Sequence, residues 1–189
     1  MSLILITGGS RAGKSLFAEN LARQLGGDAV CYIATTEPGD ADLAARIATR
    51  QAARPAGWLT VEAPRRIADR FVEAGRRHVV IVDCLTTLVS NVLLAHPESV
   101  GHAQVWPEIE AEVVGVTHFA ESTTTTVIVV TNEVGLEIVP PTPLNRIYGD
   151  LLGRANQQLG AAADAVYLLV SGIPIEIKAL AASQAGWTP

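Results

Sequence analysis

The sequence predicts an α/β fold, a mostly parallel sheet with helices on both faces. Two patterns carry that expectation. Short runs rich in Val and Ile are apolar throughout, as strands buried on both faces are. Longer segments with apolar residues at helical spacing separate them. At 189 residues, 49% hydrophobic and 17% charged, the chain has enough apolar material for a core and too little charge for a disordered polymer. One domain over residues 1–189 is expected, with 179–189 as a frayed tail.

Residues 3–7 read as the first strand, and 15–25 as a helix with Leu16, Phe17, Leu21 and Leu25 on its apolar face. Gly26 and Gly27 end that helix. Residues 30–34 are a second strand, 40–53 helical and 58–62 a short strand. A helix over 64–76 starts at a proline. Residues 79–82 form an apolar strand, and 85–95 and 106–121 read as helices flanking a polar loop at 96–104. A strand at 127–131, a helix at 143–160 and a strand at 166–170 follow, then a turn at 172–174 into 175–178. No repeat or linker interrupts this order.

The formal charge of −5 argues against a broad grip on nucleic-acid phosphates. No apolar run reaches the length of a membrane span, and residues 3–6 are too few for a signal peptide, so a cytoplasmic protein is expected. Cys31 and Cys84 lie in or beside apolar runs and read as buried, reduced thiols.

The chemistry begins at LITGGSRAGKS, residues 5–15. Gly8, Gly13, Lys14 and Ser15 satisfy G-x-x-x-x-G-K-[ST], between a strand and a helix as that motif requires. Glycines let backbone N–H groups converge on one centre, and the helix N-terminus adds partial positive charge there. The whole turn, with Gly9, Ser10, Arg11 and Ala12, is a nucleoside triphosphate site. Lys14 reaches for the outer phosphates, Ser15 offers a hydroxyl to Mg²⁺, and Arg11 either touches phosphate or is solvated. Asp83 ends the apolar strand in VVIVD and suits Mg²⁺, directly or through water; the competing reading is an N-cap for the next helix. Glu133, in TNEVG, also stands at a strand end. It can orient an acceptor hydroxyl, take its proton, hold a metal-bound water or pin a loop.

These segments together resemble the adenosylcobinamide kinase/adenosylcobinamide-phosphate guanylyltransferase family of cobalamin biosynthesis. The likeness runs through ITGGSRAGKS (6–15), YIATT (32–36), AARI (44–47), RPAGW (54–58), DCLTTLVSN (83–91), TNEVGLEIVP (131–140) and GRANQ (153–157), in order. It implies a P-loop, RecA-like fold and two reactions. In the first, ATP or GTP phosphorylates the aminopropanol hydroxyl of adenosylcobinamide. In the second, GMP passes from GTP to the new phosphate. The resemblance implies a homo-oligomer, often a trimer, and adds Ala34, Thr35, Thr36 and Glu62 to the loop residues and Asp83 as nucleotide-binding positions.

One family feature is missing. Members carry a histidine between the Arg-Ile and Arg-Pro pairs, and it becomes guanylylated. Here residues 46–58 read RIATRQAARPAGW, with Thr49 and Arg50 in the matching region. Arginine stays protonated and cannot be the nucleophile; Arg50 suits phosphate clamping. Threonine would need a positioned base. His78, His96, His102 and His118 belong to no motif. Kinase chemistry is therefore the stronger expectation. A kinase of another small alcohol and a nucleotide-binding regulator without catalysis are the alternatives.

Overall fold

The computed structural model describes residues 2–37, 48–49, 51–52, 54–97, 100–134 and 142–182. The expected helix at 40–53, Arg50, and the end of the TNEVGLEIVP segment from 135 on lie wholly or mostly outside the described residues.

Seven strands form one sheet in the order β3-β2-β4-β5-β1-β6-β7. They are β1 (Ser2–Gly8), β2 (Val30–Ala34), β3 (Leu59–Glu62), β4 (Val79–Asp83), β5 (Thr126–Val130), β6 (Ala165–Val170) and β7 (Ile173–Glu176). All neighbours are parallel except β6 and β7, an antiparallel pair at one edge. Central strands are buried on both faces because apolar side chains line both; VVIVD of β4 is buried throughout, and β1, β2 and β5 each at all but one terminal residue.

The helices are α1 (Lys14–Gly26), α2 (Ile67–Ala74), α3 (Leu85–Leu94), α4 (His102–Ser122), α5 (Pro143–Ala162) and α6 (Ile177–Ala182). Among the described residues the two faces are unequally covered. Residues of α2 to α5 pack with Leu5, Ile33, Val82 and Val129 on one face. On the other, Ile6, Tyr32, Ile81 and Val130 cluster with Ala18 and Ala22 of α1 and with Trp58.

Several expected boundaries move, each for a local reason. On α1 the buried residues are Lys14, Ala18 and Ala22, whereas Leu16 and Leu25 are 64% and 49% exposed. Small side chains let that helix lie close on the sheet, so its inner stripe is the alanine row. Helix α2 starts at Ile67, three residues late, because Glu112 of α4 reaches over and accepts from the N–H groups of Arg66 and Ile67. Gly75, at φ 57°, ends it. Helix α4 starts at His102, inside the expected loop, where the Gln104 side chain accepts from Gly101 N–H at 2.7 Å. The 175–178 segment is divided: β7 ends at Glu176 and Lys178 belongs to α6. Residues 179–182, expected to fray, continue that helix, and 183–189 lie outside the described residues.

Candidate functional site

Parallel strands place their C-terminal ends along one edge of the sheet. In register across that edge stand Glu62 (β3), Ala34 (β2), Asp83 (β4) and Val130 (β5), with Val130 beside Ile6 of β1. The loop leaving β1 arches over this row.

Glycine is required at both ends of the loop. Gly8 has φ 143°, and a Cβ there would sit 2.4 Å from the Leu169 carbonyl oxygen. Gly13 is left-handed at φ 93° and precedes the first turn of α1, which has no side-chain cap. Arg11 is left-handed too, at φ 58°. Ala12 N–H donates to Gly9 at 3.3 Å, and Gly172 N–H donates to Ala12 at 3.1 Å, tying the loop to the β6–β7 turn. The uncapped N–H groups of α1 are the orphan donors that an anion satisfies.

A cavity of about 500 Å³ opens in front of this turn. It is lined by loop residues Ser10–Leu16, by Asp83 and Cys84 from the end of β4, and by Val130 and Asn132 from the end of β5. Lys14 is buried, and its Nζ donates to Gly9 O at 2.7 Å. Burial lowers its pKa, against the opposing pull of the Cys84 and Asp83 side chains. Asp83 accepts at Oδ2 from the Tyr32 hydroxyl. Burial first, then the charge of Asp83 and this hydrogen bond, push the Tyr32 phenol far above its ordinary value, so it remains a donor. The N-cap of α3 is Cys84, which rejects the reading of Asp83 as that helix's cap.

The other sequence-predicted residues surround this cavity without lining it. Thr35 is fully buried; its hydroxyl donates to Cys84 O at 2.8 Å and accepts from Cys84 N–H at 2.7 Å. It binds the ends of β2 and β4 together. Thr36 is half-buried, and Ala34 lies between Glu62 and Asp83 in the sheet. Glu62 is exposed at the outer strand, about 10 Å from Asp83 by the spacing of two strands. Glu133 N–H donates to Gly8 O at 3.2 Å, so its residue abuts the start of the loop.

Sequence reasoning places Asn132 beside Glu133 at a strand end but gives it no role. Its N–H donates to Thr86 Oγ1 at 2.9 Å and its carbonyl accepts from Asn156 Nδ2 at 2.9 Å. Both backbone groups are therefore fixed by side chains of α3 and α5, and the residue lines the cavity. Its place at a strand end was the available signal; Thr86 and Asn156 are distant in sequence.

A second cavity, about 600 Å³, lies among Arg65, Arg66, Asp69, Glu108 and Glu112. Glu112 is already committed to the start of α2. Burial raises its pKa while those backbone N–H groups oppose the shift. Among the described residues no cluster of three or more His, Cys, Asp or Glu forms a metal cage. No described helix is long and apolar enough to cross a membrane.

The four histidines lie elsewhere. His78 precedes β4 at the opposite edge of the sheet, about 17 Å from Asp83 along an extended strand. His96 faces Glu108 at 3.1 Å, His102 stacks on Trp106, and His118 is exposed on α4. None lines the phosphate-loop cavity.

Comparison with known proteins gives this geometry relatives. The bifunctional adenosylcobalamin biosynthesis protein CobU of Salmonella typhimurium is 41% identical over 185 residues, covering 93% of this chain and 99% of its own. The bifunctional adenosylcobalamin biosynthesis protein CobP of Pseudomonas aeruginosa is 38% identical over 179 residues, covering 92% and 96%. Among solved structures, a KaiC-like protein of Pyrococcus horikoshii OT3 aligns over 88% of this chain and 70% of its own, at 15% identity and a TM-score of 0.49. Residues 4–177 match the family described as cobinamide kinase / cobinamide phosphate guanyltransferase, and the chain belongs to that family.

Proposed function

We propose that this chain transfers the γ-phosphoryl group of ATP or GTP to the hydroxyl of adenosylcobinamide. The observation that carries the proposal is the single cavity gathering the phosphate loop, Lys14, Ser15 and Asp83. The loop N–H groups and the start of α1 hold the inner phosphates. Lys14 exchanges its bond to Gly9 O for oxygens of the outer phosphates, and its charge offsets the charge that develops as the phosphoryl group moves. Arg11, exposed at the cavity wall, adds a second cation near the same oxygens.

The donor set fits Mg²⁺. A hydroxyl and a carboxylate share one cavity, both hard oxygen ligands, and among the described residues no hydrogen bond reaches Asp83 Oδ1. Ser15 and Asp83 would hold the ion, directly or through water, and it would neutralise phosphate charge. Ala34, Thr36 and Glu62, along the same sheet edge, serve the base or ribose end of the nucleotide. Thr35 serves that end by fixing backbone. Glu133 stands on the acceptor side. The corrinoid is held in a cytoplasmic homo-oligomer, a trimer; the exposed apolar side chains Val170, Ile173, Ile175 and Leu180 at the β7 edge support assembly.

The usual guanylyl-histidine cannot form at residues 46–58, which hold no histidine, and no other histidine lines the cavity. This chain is thus a kinase alone, or it moves GMP directly between bound substrates. Incubation with GTP labelled at the α-phosphate is expected to leave no acid-labile label on the protein. Label recovered on an imidazole would reject this part of the reading. Phosphorylated adenosylcobinamide formed by wild type and absent with Lys14→Ala tests the kinase assignment itself.

A further inference from the structure

Tyr32 is a buried phenol whose hydroxyl donates to Asp83 Oδ2, its one partner among the described residues. The sheet makes that contact. Tyr32 of β2 lies directly opposite Ile81 of β4, and Asp83 is two residues further along, so all three side chains share the α1 face. The ring is held from outside as well. The Arg54 guanidinium lies 3.5 Å from its centroid, and Arg54 Nη1 donates to Thr60 Oγ1 at 3.1 Å. Tyr32 of YIATT and Arg54 of RPAGW thus stack up behind one carboxylate, the phenol touching Asp83 and the guanidinium touching the phenol ring.

We propose that Tyr32 is a positioning residue for phosphoryl transfer: its hydroxyl anchors Asp83 through Oδ2, so that Oδ1 faces the phosphate-loop cavity. A carboxylate torsion is broad and roughly two-fold, so an aspartate without an anchor samples many orientations. Asp83 also feels the charge of Lys14. Released from the phenol, it turns toward that ammonium and competes with phosphate oxygens for it. Arg54 acts one step further out, by holding the ring.

This inference rests on the reading of Asp83 as a magnesium carboxylate, and a double-mutant cycle separates the two. Tyr32→Phe removes the hydroxyl and keeps the ring under Arg54. Binding of a fluorescent GTP analogue is measured with Mn²⁺ and in EDTA, and Mn²⁺ affinity of the nucleotide complex is read by electron paramagnetic resonance. Tyr32→Phe is expected to weaken Mn²⁺-dependent binding roughly tenfold, about 1.4 kcal/mol, and to leave binding in EDTA unchanged. In an Asp83→Asn background it is expected to change neither. In turnover, the KM for Mg²⁺ rises while cooperative thermal unfolding persists. If Tyr32→Phe does not unfold cooperatively, Arg54→Lys, which keeps the hydroxyl, is expected to show the same metal-specific loss at smaller size. Equal losses with and without metal, no loss, or a full loss retained in Asp83→Asn would overturn the inference alone. Identical metal dependence of wild type and Asp83→Asn would overturn the magnesium reading, and the inference with it.

Discussion

Thr35 separates position from contact. It lies at a strand end beside the nucleotide cavity, yet its hydroxyl is spent on both backbone groups of Cys84. Replacing it by Val leaves the Cys84 N–H unpaired, while the Cys84 carbonyl still accepts from Leu88 N–H at 3.1 Å; the cost is about 1–3 kcal/mol, so the midpoint of thermal unfolding should fall by about 2–12 °C. Thr35→Ser keeps the oxygen and should stay near wild type. Calorimetry on the pair checks this; a loss in Thr35→Ser with none in Thr35→Val would mean that the methyl, not the hydroxyl, carries the role. The thiols offer a pH test. Burial pushes Cys31 up to about 11, and burial with the neighbouring Asp83 raises Cys84. Thiolate is the reactive form, so both react slowly with a disulfide reagent at pH 8, speed up only as pH climbs toward these raised values, and react at once in denaturant. A fast native thiol at pH 8 would contradict this burial. At this scale the sequence disclosed what a single segment carries by itself: Gly8 and Lys14 on the loop after β1, and Asp83 at the end of β4. It did not disclose what Tyr32 or Asn132 does, because their partners, Asp83, Thr86 and Asn156, come from other elements that only the strand order brings near.

Elements were legible where periodicity and burial agree, and misread where a neighbour intervened. Helix α1 has Leu16 and Leu25 on its outside, alanines inside, and Phe17 and Leu21 packed along the margin of the contact. Ala18→Leu or Ala22→Leu should overpack the contact with the sheet and cost about 1–3 kcal/mol. Leu25→Ala, half-exposed, should cost far less. Urea unfolding of the set reads the orientation directly, and the reverse ranking would refute it. The β7–α6 corner depends on side chains acting as caps. Glu176 accepts from the N–H groups of Val166, Lys178 and Ala179, and Lys178 Nζ donates to carbonyls at the end of α5. Burial opposes ionisation of Glu176, but those N–H groups and the Lys178 charge outweigh it and lower its pKa. A lowered carboxyl adds stability that is present above the ordinary value, about 4.3, and is lost as pH falls through the folded value. Glu176→Gln should speed amide exchange at Lys178 and Ala179 at neutral pH, and wild type should lose that protection only in acid. Protection independent of both changes would show that α6 is held by packing alone. No periodicity signals such a latch, which is why 179–182 looked like a fraying tail.

For the whole molecule, the alternation of strands and helices disclosed the parallel sheet, and the motif order disclosed the family that residues 4–177 match. The uneven cover of the two faces was not legible, since periodicity says that a face is apolar but not which element covers it. The missing histidine was plain in the sequence; the structure adds that none of the other four histidines lines the cavity. Phosphoryl transfer through the one phosphate loop is therefore the step common to both readings, kinase alone or kinase with direct GMP transfer. The most direct test is a mass spectrum of the corrinoid after incubation with adenosylcobinamide, Mg²⁺ and γ-labelled GTP or ATP, beside Lys14→Ala. The account predicts one added phosphoryl group carrying the label, with none from the variant. Unphosphorylated corrinoid with both proteins, or equal product from both, would contradict it.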